Sequence, residues 1–158
     1  MPELTAYHEA GHAVIAMLLG GRVASVTIDP ENDDGPERYG DTKVEWLRDR
    51  FSDKEFHENL VQVALAGPVA EMIYRGEPLH PGFVAEWSGD WRTAWEMAAA
   101  LHSDEQKRLQ YLELTTTHLH RLLKKEPYWS ALAAVSDNLL AHERLDNEEL
   151  EDIVRAWL

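Results

Sequence analysis

Apolar positions recur at helical spacing over most of the chain and alternate at strand spacing over one short region. A first helix is predicted around residues 7–19, where Leu4, Ala13, Val14, Ile15, Met17, Leu18 and Leu19 surround the polar run His8-Glu9-Ala10-Gly11-His12. Thr5 is placed to cap its start, and Gly20-Gly21 stops it. Residues 22–29 (Arg-Val-Ala-Ser-Val-Thr-Ile-Asp) alternate apolar with polar and read as a strand. Residues 30–40 are rich in Asp, Glu, Gly and Pro and read as an exposed loop. Residues 41–47, with Thr42, Val44 and Trp46 on one face, form a second strand pairing with the first.

Ser52 or Asp53 opens a second helix through Phe56, Leu60, Val61, Val63, Ala64 and Leu65. Gly67-Pro68 is expected to interrupt it, because proline inside a helix removes a hydrogen bond and clashes with the preceding turn. The helix resumes from Val69 to Tyr74, up to Gly76. Residues 76–89 hold three glycines and two prolines and read as a long loop, a common seat of function. A third helix starts within Ser88-Gly89-Asp90 and runs to about residue 101. Ser103-Asp-Glu-Gln106 is a capping box for a fourth, ending near residue 125. Pro127 sits at the first turn of a fifth, with Trp129, Leu132, Val135, Leu139 and Leu140. Asp146 caps a sixth, whose apolar side carries Leu150, Ile153, Val154 and Trp157. The predicted fold is mainly α: a compact bundle of about six helices, with one small β-hairpin beside the first helix, in a single domain over residues 1–158. No repeat, low-complexity segment or linker interrupts it.

The 158 residues suffice for one domain with a real core, and 44% hydrophobic content is that of a globular chain. The net charge of −14 argues against partners that need Lys and Arg, namely nucleic acid and anionic membrane surfaces. The longest wholly apolar run, Ala13 to Leu19, is far too short to span a bilayer. The opening Met-Pro-Glu-Leu shows no signal-peptide pattern, so the cytoplasm is the expected location. There is no cysteine, which excludes a disulfide framework and any thiolate metal site.

That leaves His, Asp and Glu to bind metal, and His8-Glu9-Ala10-Gly11-His12 is the His-Glu-x-x-His pattern. On a helix, positions i and i+4 lie one above the other, so His8 and His12 can aim two imidazoles at one ion. Glu9 then lies where a metal-bound water would sit. A helix with two histidines, a glutamate and a glycine in a buried position is a poor choice for stability alone, since Gly11 costs about 1 kcal/mol against alanine. The bland alternative is a pair of core histidines bonded to backbone, with Glu9 in an ion pair. A catalytic zinc site also needs a third protein ligand. Spacing leaves Glu71, His80, Glu86 and Asp90 open. Asp90 could equally be an ordinary helix cap, and Glu71 could pair with Arg75 at i+4. The remaining histidines (His57, His102, His118, His120 and His142) read as ordinary residues.

Tyr7-His-Glu-Ala-Gly-His-Ala-Val14 resembles the active-site helix of the FtsH family of ATP-dependent zinc metallopeptidases. Val26-Thr-Ile-Asp-Pro30, Leu65-Ala-Gly-Pro-Val-Ala-Glu71, Ser88-Gly-Asp-Trp-Arg-Thr-Ala94 and Leu139-Leu-Ala-His-Glu-Arg-Leu145 are similar to further family segments, in the same order. The resemblance implies that His8, His12 and Asp90 bind Zn2+ and that Glu9 is the general base. Pro68 departs from the family, which has Arg there, and the loop before Asp90 differs, which keeps Glu86 as a lesser candidate. No Gly-x-x-x-x-Gly-Lys-Ser/Thr stretch and no membrane anchor occur, so a stand-alone peptidase domain is expected.

The implied activity is hydrolysis of peptides or unfolded polypeptides by a zinc-activated water. A homo-oligomer and a separate ATPase partner both stay open. A small sheet edge beside such a site can receive an extended substrate as an added strand, or the hairpin can merely cover the core. The rival reading is a non-enzymatic interaction module, binding through the hairpin or the Trp-rich region of Trp87, Trp91, Trp95 and Trp129. A metal-free structural helix bundle would make the motif accidental.

Overall fold

The computed structural model describes residues 2–29 and 40–158. The loop expected at 30–40 therefore lies outside the described residues, apart from Gly40. The first helix, α1 (Pro2–Leu18), begins three residues before its expected Thr5 cap. Pro2 occupies its first turn, where a missing N–H costs nothing. The chain leaves it through Gly20 at φ 92°, a left-handed position that suits glycine.

The predicted hairpin is present as β1 (Arg22–Thr27) and β2 (Asp41–Glu45), with Val26 opposite Thr42 and Val23 opposite Val44. A third strand, β3 (Arg144–Asp146), joins the other side of β1, with Leu145 opposite Val26. Among the described residues, the sheet order β2-β1-β3 leaves β2 at an edge. Three residues are too few for alternation to reveal, so β3 is invisible to sequence patterning.

The second helix, α2 (Asp53–Arg75), starts at a Ser52–Glu55 capping box and ends at Gly76, φ 72°. It runs unbroken through Gly67-Pro68, which corrects the expected interruption. Pro68 deletes only the amide that would have bonded the Ala64 carbonyl. Ala64 through Met72 are all buried, and this packing carries the helix across the missing bond.

Residues 76–89 contain two short 3-10 turns, Pro81–Phe83 and Ala85–Trp87. Helix α3 (Ser88–Ala98) follows, with Trp87 at its cap position and Asp90 in its first turn, so Asp90 is not the ordinary cap residue. In α4 (Glu105–Leu123) the cap is Asp104, which accepts the Lys107 amide, one residue later than expected. Pro127 lies just before α5 (Tyr128–His142) rather than in its first turn. Asp146 caps α6 (Asn147–Arg155) as predicted, with Glu149 closing a capping box.

The architecture is thus a bundle of six α-helices with a small antiparallel sheet among the described residues. Helix α1 is its axis, with Ala6, Ala10, Ala13, Val14 and Ala16 fully buried. Gly11 explains how close α2 lies: a Cβ there would stand 2.5 Å from the Ala66 carbonyl oxygen and 2.7 Å from the Ala70 Cβ. Of the tryptophans considered for an exposed surface, Trp87 is fully buried and Trp129 stacks on Tyr7 at 5.4 Å. No helix among the described residues is long and apolar enough to cross a membrane.

Candidate metal centre

Helical periodicity puts His8 and His12 on the α1 face that meets α2. There Gly67 supplies the space: a Cβ at this position would stand 2.7 Å from His8 Nε2 and would also overlap the His12 ring. The two Nε2 atoms lie 3.0 Å apart. The first turn of α3 brings in Asp90, whose Oδ2 is 2.7 Å from His8 Nε2 and 3.4 Å from His12 Nε2. His8, His12 and Asp90 form the group among the described residues whose donor atoms converge as a metal would require.

The far side of each imidazole is held. His8 Nδ1 donates to Glu71 Oε1 at 2.8 Å, and His12 Nδ1 donates to the Val63 carbonyl at 2.6 Å. A carboxylate and a carbonyl only accept, so both rings carry their proton on Nδ1. Nε2 of each ring is thereby directed to the shared point, the arrangement that orients metal-binding histidines in general.

Of the four candidates for a third ligand, the fold brings Asp90 to the Nε2 pair. Glu71 is turned to the outer nitrogen of His8 and is not paired with Arg75, whose guanidinium reaches Glu77 instead. His80 is bonded to Glu113 at 3.0 Å, and Glu86 is exposed.

Burial and charge shape the cluster together. Burial alone would lower the His8 imidazolium, but the Asp90 charge and hydrogen bond, with help from Glu71 and Glu9, outweigh it and raise the pKa to about 9. Burial would raise the Asp90 carboxyl, yet His12 and His8 beside it hold it well below the usual carboxylate range. The cluster thus favours positive charge at the point where its imidazoles meet the carboxylate. Four-coordinate zinc with donors at about 2.0–2.1 Å keeps them about 3.3–3.4 Å apart. The spacings here, 2.7, 3.0 and 3.4 Å, equal that value or fall short of it by up to about 0.7 Å, and two imidazoles with a carboxylate are a donor set that suits zinc. The residues present therefore fit the ion.

Glu9 lines the same cavity as His12 and Asp90 and is held from the sheet. Thr42 Oγ1 on β2 donates to Glu9 Oε1 at 2.7 Å. A cavity of about 430 Å3 opens over Glu9, His12 and Asp90, between β2 (Thr42, Val44) and α2 (Leu60, Val63). His8, 1% exposed, lies beneath it, whereas His12 and Asp90 reach its floor. Sequence reasoning missed the Val63 carbonyl, Gly67 and Gly40. Only Gly67 left a signal, as a glycine kept inside a buried helical run.

No protein-family model matches the chain. Among curated proteins, it is similar to the ATP-dependent zinc metalloprotease FtsH 1 of Alkaliphilus metalliredigens, with 30% identity over 96% of this chain and 29% of that protein. It is 36% identical to the chloroplastic ATP-dependent zinc metalloprotease FTSH of Capsicum annuum over 48% of this chain and 12% of that protein. The corresponding values for the chloroplastic FTSH 5 of Arabidopsis thaliana are 36%, 47% and 11%. The chain thus spans less than a third of the length of these relatives.

Proposed function

From its homology to a protease region of the FtsH zinc metalloproteases, we propose that this chain is a zinc-dependent metallopeptidase acting on peptides or unfolded polypeptides. The observation that carries the reading is the convergence of His8 Nε2, His12 Nε2 and Asp90 Oδ2, with a glutamate beside them facing an open cavity. His8, His12 and Asp90 would hold the ion. A bound zinc supplies Lewis-acid polarisation of a carbonyl and acidifies water at its open position.

The protein's own groups do the rest. Glu9 accepts the proton of the attacking water and delivers it to the leaving amine. Glu71 and the Val63 carbonyl keep both imidazoles turned so that Nε2 faces the ion. The edge strand β2 offers backbone groups along the rim of the cavity, and an extended substrate segment would add there as a further strand. Val44, Trp46, Leu60 and Val63 give the rim an apolar side. Hydrolysis of an already unfolded chain in this cavity needs no nucleotide.

Glu9→Gln tests the reading. The variant should keep about one zinc per chain by elemental analysis and lose hydrolysis of a labelled unfolded polypeptide by at least about a hundredfold. Full activity in the variant rejects Glu9 as the base. A wild type that holds zinc yet cleaves no unfolded substrate favours the non-enzymatic module instead.

A further inference from the structure

The sheet supplies a second set of contacts to Glu9, and they form a cradle. Thr42 sits on β2 opposite Val26, on the strand face that also carries Val44 and Trp46 toward the cavity. Its hydroxyl lies 2.7 Å from Glu9 Oε1 and 3.4 Å from the Glu9 backbone carbonyl. A hydroxyl has one proton to donate, and the shorter distance and the carboxylate acceptor direct it to Oε1. Two residues earlier, Gly40 passes so close to the same side chain that a Cβ would stand 2.7 Å from Glu9 Cγ and 2.9 Å from Oε2. One residue of β2 grips the carboxylate, and the chain just before it gives way to make room.

Glu9 needs such a grip. It is 1% exposed and hangs from α1 on three rotatable bonds, while the group it must reach lies in the cavity. A general base works only within hydrogen-bond reach of its proton, and loss of about 1 Å of placement costs on the order of a hundredfold.

We infer that Thr42 is a positioning residue, whose hydroxyl on the edge strand fixes the Glu9 carboxylate toward the cavity, with Gly40 as the gap that lets the strand approach. The inference rests on the peptidase reading for its catalytic consequence, but not for the contact itself. Thr42 is not one of the three metal-binding donors, its hydroxyl acts through Glu9, and a substrate strand would pair with the β2 backbone, which a side-chain change at Thr42 keeps. Its loss lowers turnover and leaves zinc content and substrate binding in place.

The test compares zinc-loaded wild type, Thr42→Val and Thr42→Ser on fluorescein-labelled casein. Valine keeps the branched shape suited to a strand, and serine keeps the hydroxyl. Thr42→Val should lower kcat by about tenfold to a hundredfold with KM within about twofold and zinc content unchanged, and Thr42→Ser should recover most of the rate. Unchanged kcat in Thr42→Val, or an equal loss in Thr42→Val and Thr42→Ser, overturns the inference. A second readout needs no activity: urea unfolding of the metal-free protein in a cycle of Thr42→Val, Glu9→Ala and the double variant. Losses smaller together than in sum support the contact, and additive losses overturn it. A wild type that cleaves nothing removes the peptidase reading, while the unfolding cycle still decides whether Thr42 holds Glu9.

Discussion

His8 is under two opposed influences. Burial in an apolar bundle disfavours its charge, whereas Asp90, Glu71 and Glu9 favour it, and the carboxylates prevail to give a pKa of about 9. In the metal-free protein a proton therefore occupies the point where zinc would bind. Ligation requires a neutral imidazole, so below pH 9 each zinc must displace a proton. Apparent zinc affinity should rise about tenfold per pH unit between pH 7 and 9 and flatten above it. Chelator competition across that range checks the slope, and a flat profile would show that His8 is not the displaced group. Stability of the metal-free protein follows the opposite course. The contribution of charged His8 is complete below the ordinary value of 6.5 and is lost as pH rises through 9. Asp90, held well below its ordinary range, stays ionised throughout and does not limit binding.

The pairing of α1 with α2 depends on missing side chains. Gly11 lets the two backbones touch, and Gly67 gives the imidazoles their space. On propensity alone, Gly11→Ala should stabilise α1 by about 1 kcal/mol. The new Cβ would meet the Ala66 carbonyl oxygen and the Ala70 Cβ, neither of which can swing aside. Overpacking of this kind costs about 1–3 kcal/mol, so the net effect should be destabilising, read by urea unfolding. A more stable variant would mean that the helices lie further apart. The same packing explains why α2 does not break at Pro68. Local rules predict an interruption there, because they weigh a lost hydrogen bond and not the buried face that offsets it. The element ends were more legible: the Asp146 cap, the hairpin and the stop at Gly76 all follow from local chemistry. The Ser103 cap moved by one residue, since Asp104 next to it also has a side-chain acceptor.

At the scale of the molecule, a net charge of −14 sets acidic groups against one another. The exposed ion pairs Arg22–Glu45, Arg48–Asp53 and Arg155–Glu151 are each worth about 0–1 kcal/mol, so screening them costs little. Screening the general repulsion should gain more. The unfolding temperature of the metal-free protein is thus expected to rise from about 20 mM to about 500 mM sodium chloride, and a fall would give the ion pairs the larger share. The sequence by itself determined the helical class, the hairpin and the placing of His8, Glu9 and His12 along one helix. Those features rest on short-range geometry: 3.6 residues per turn in a helix, two per repeat in a strand, and caps within a few residues. Tertiary structure decided which of four candidates meets the Nε2 pair, and it gave Glu71, 63 residues from His8, to the other nitrogen of that ring. It also added β3 to the sheet and set Thr42 against Glu9. Such contacts depend on how rigid elements pack. Side chains far apart along the chain meet only where interlocking surfaces, such as Gly11 on Ala66 and Gly67 on the imidazoles, leave room for them.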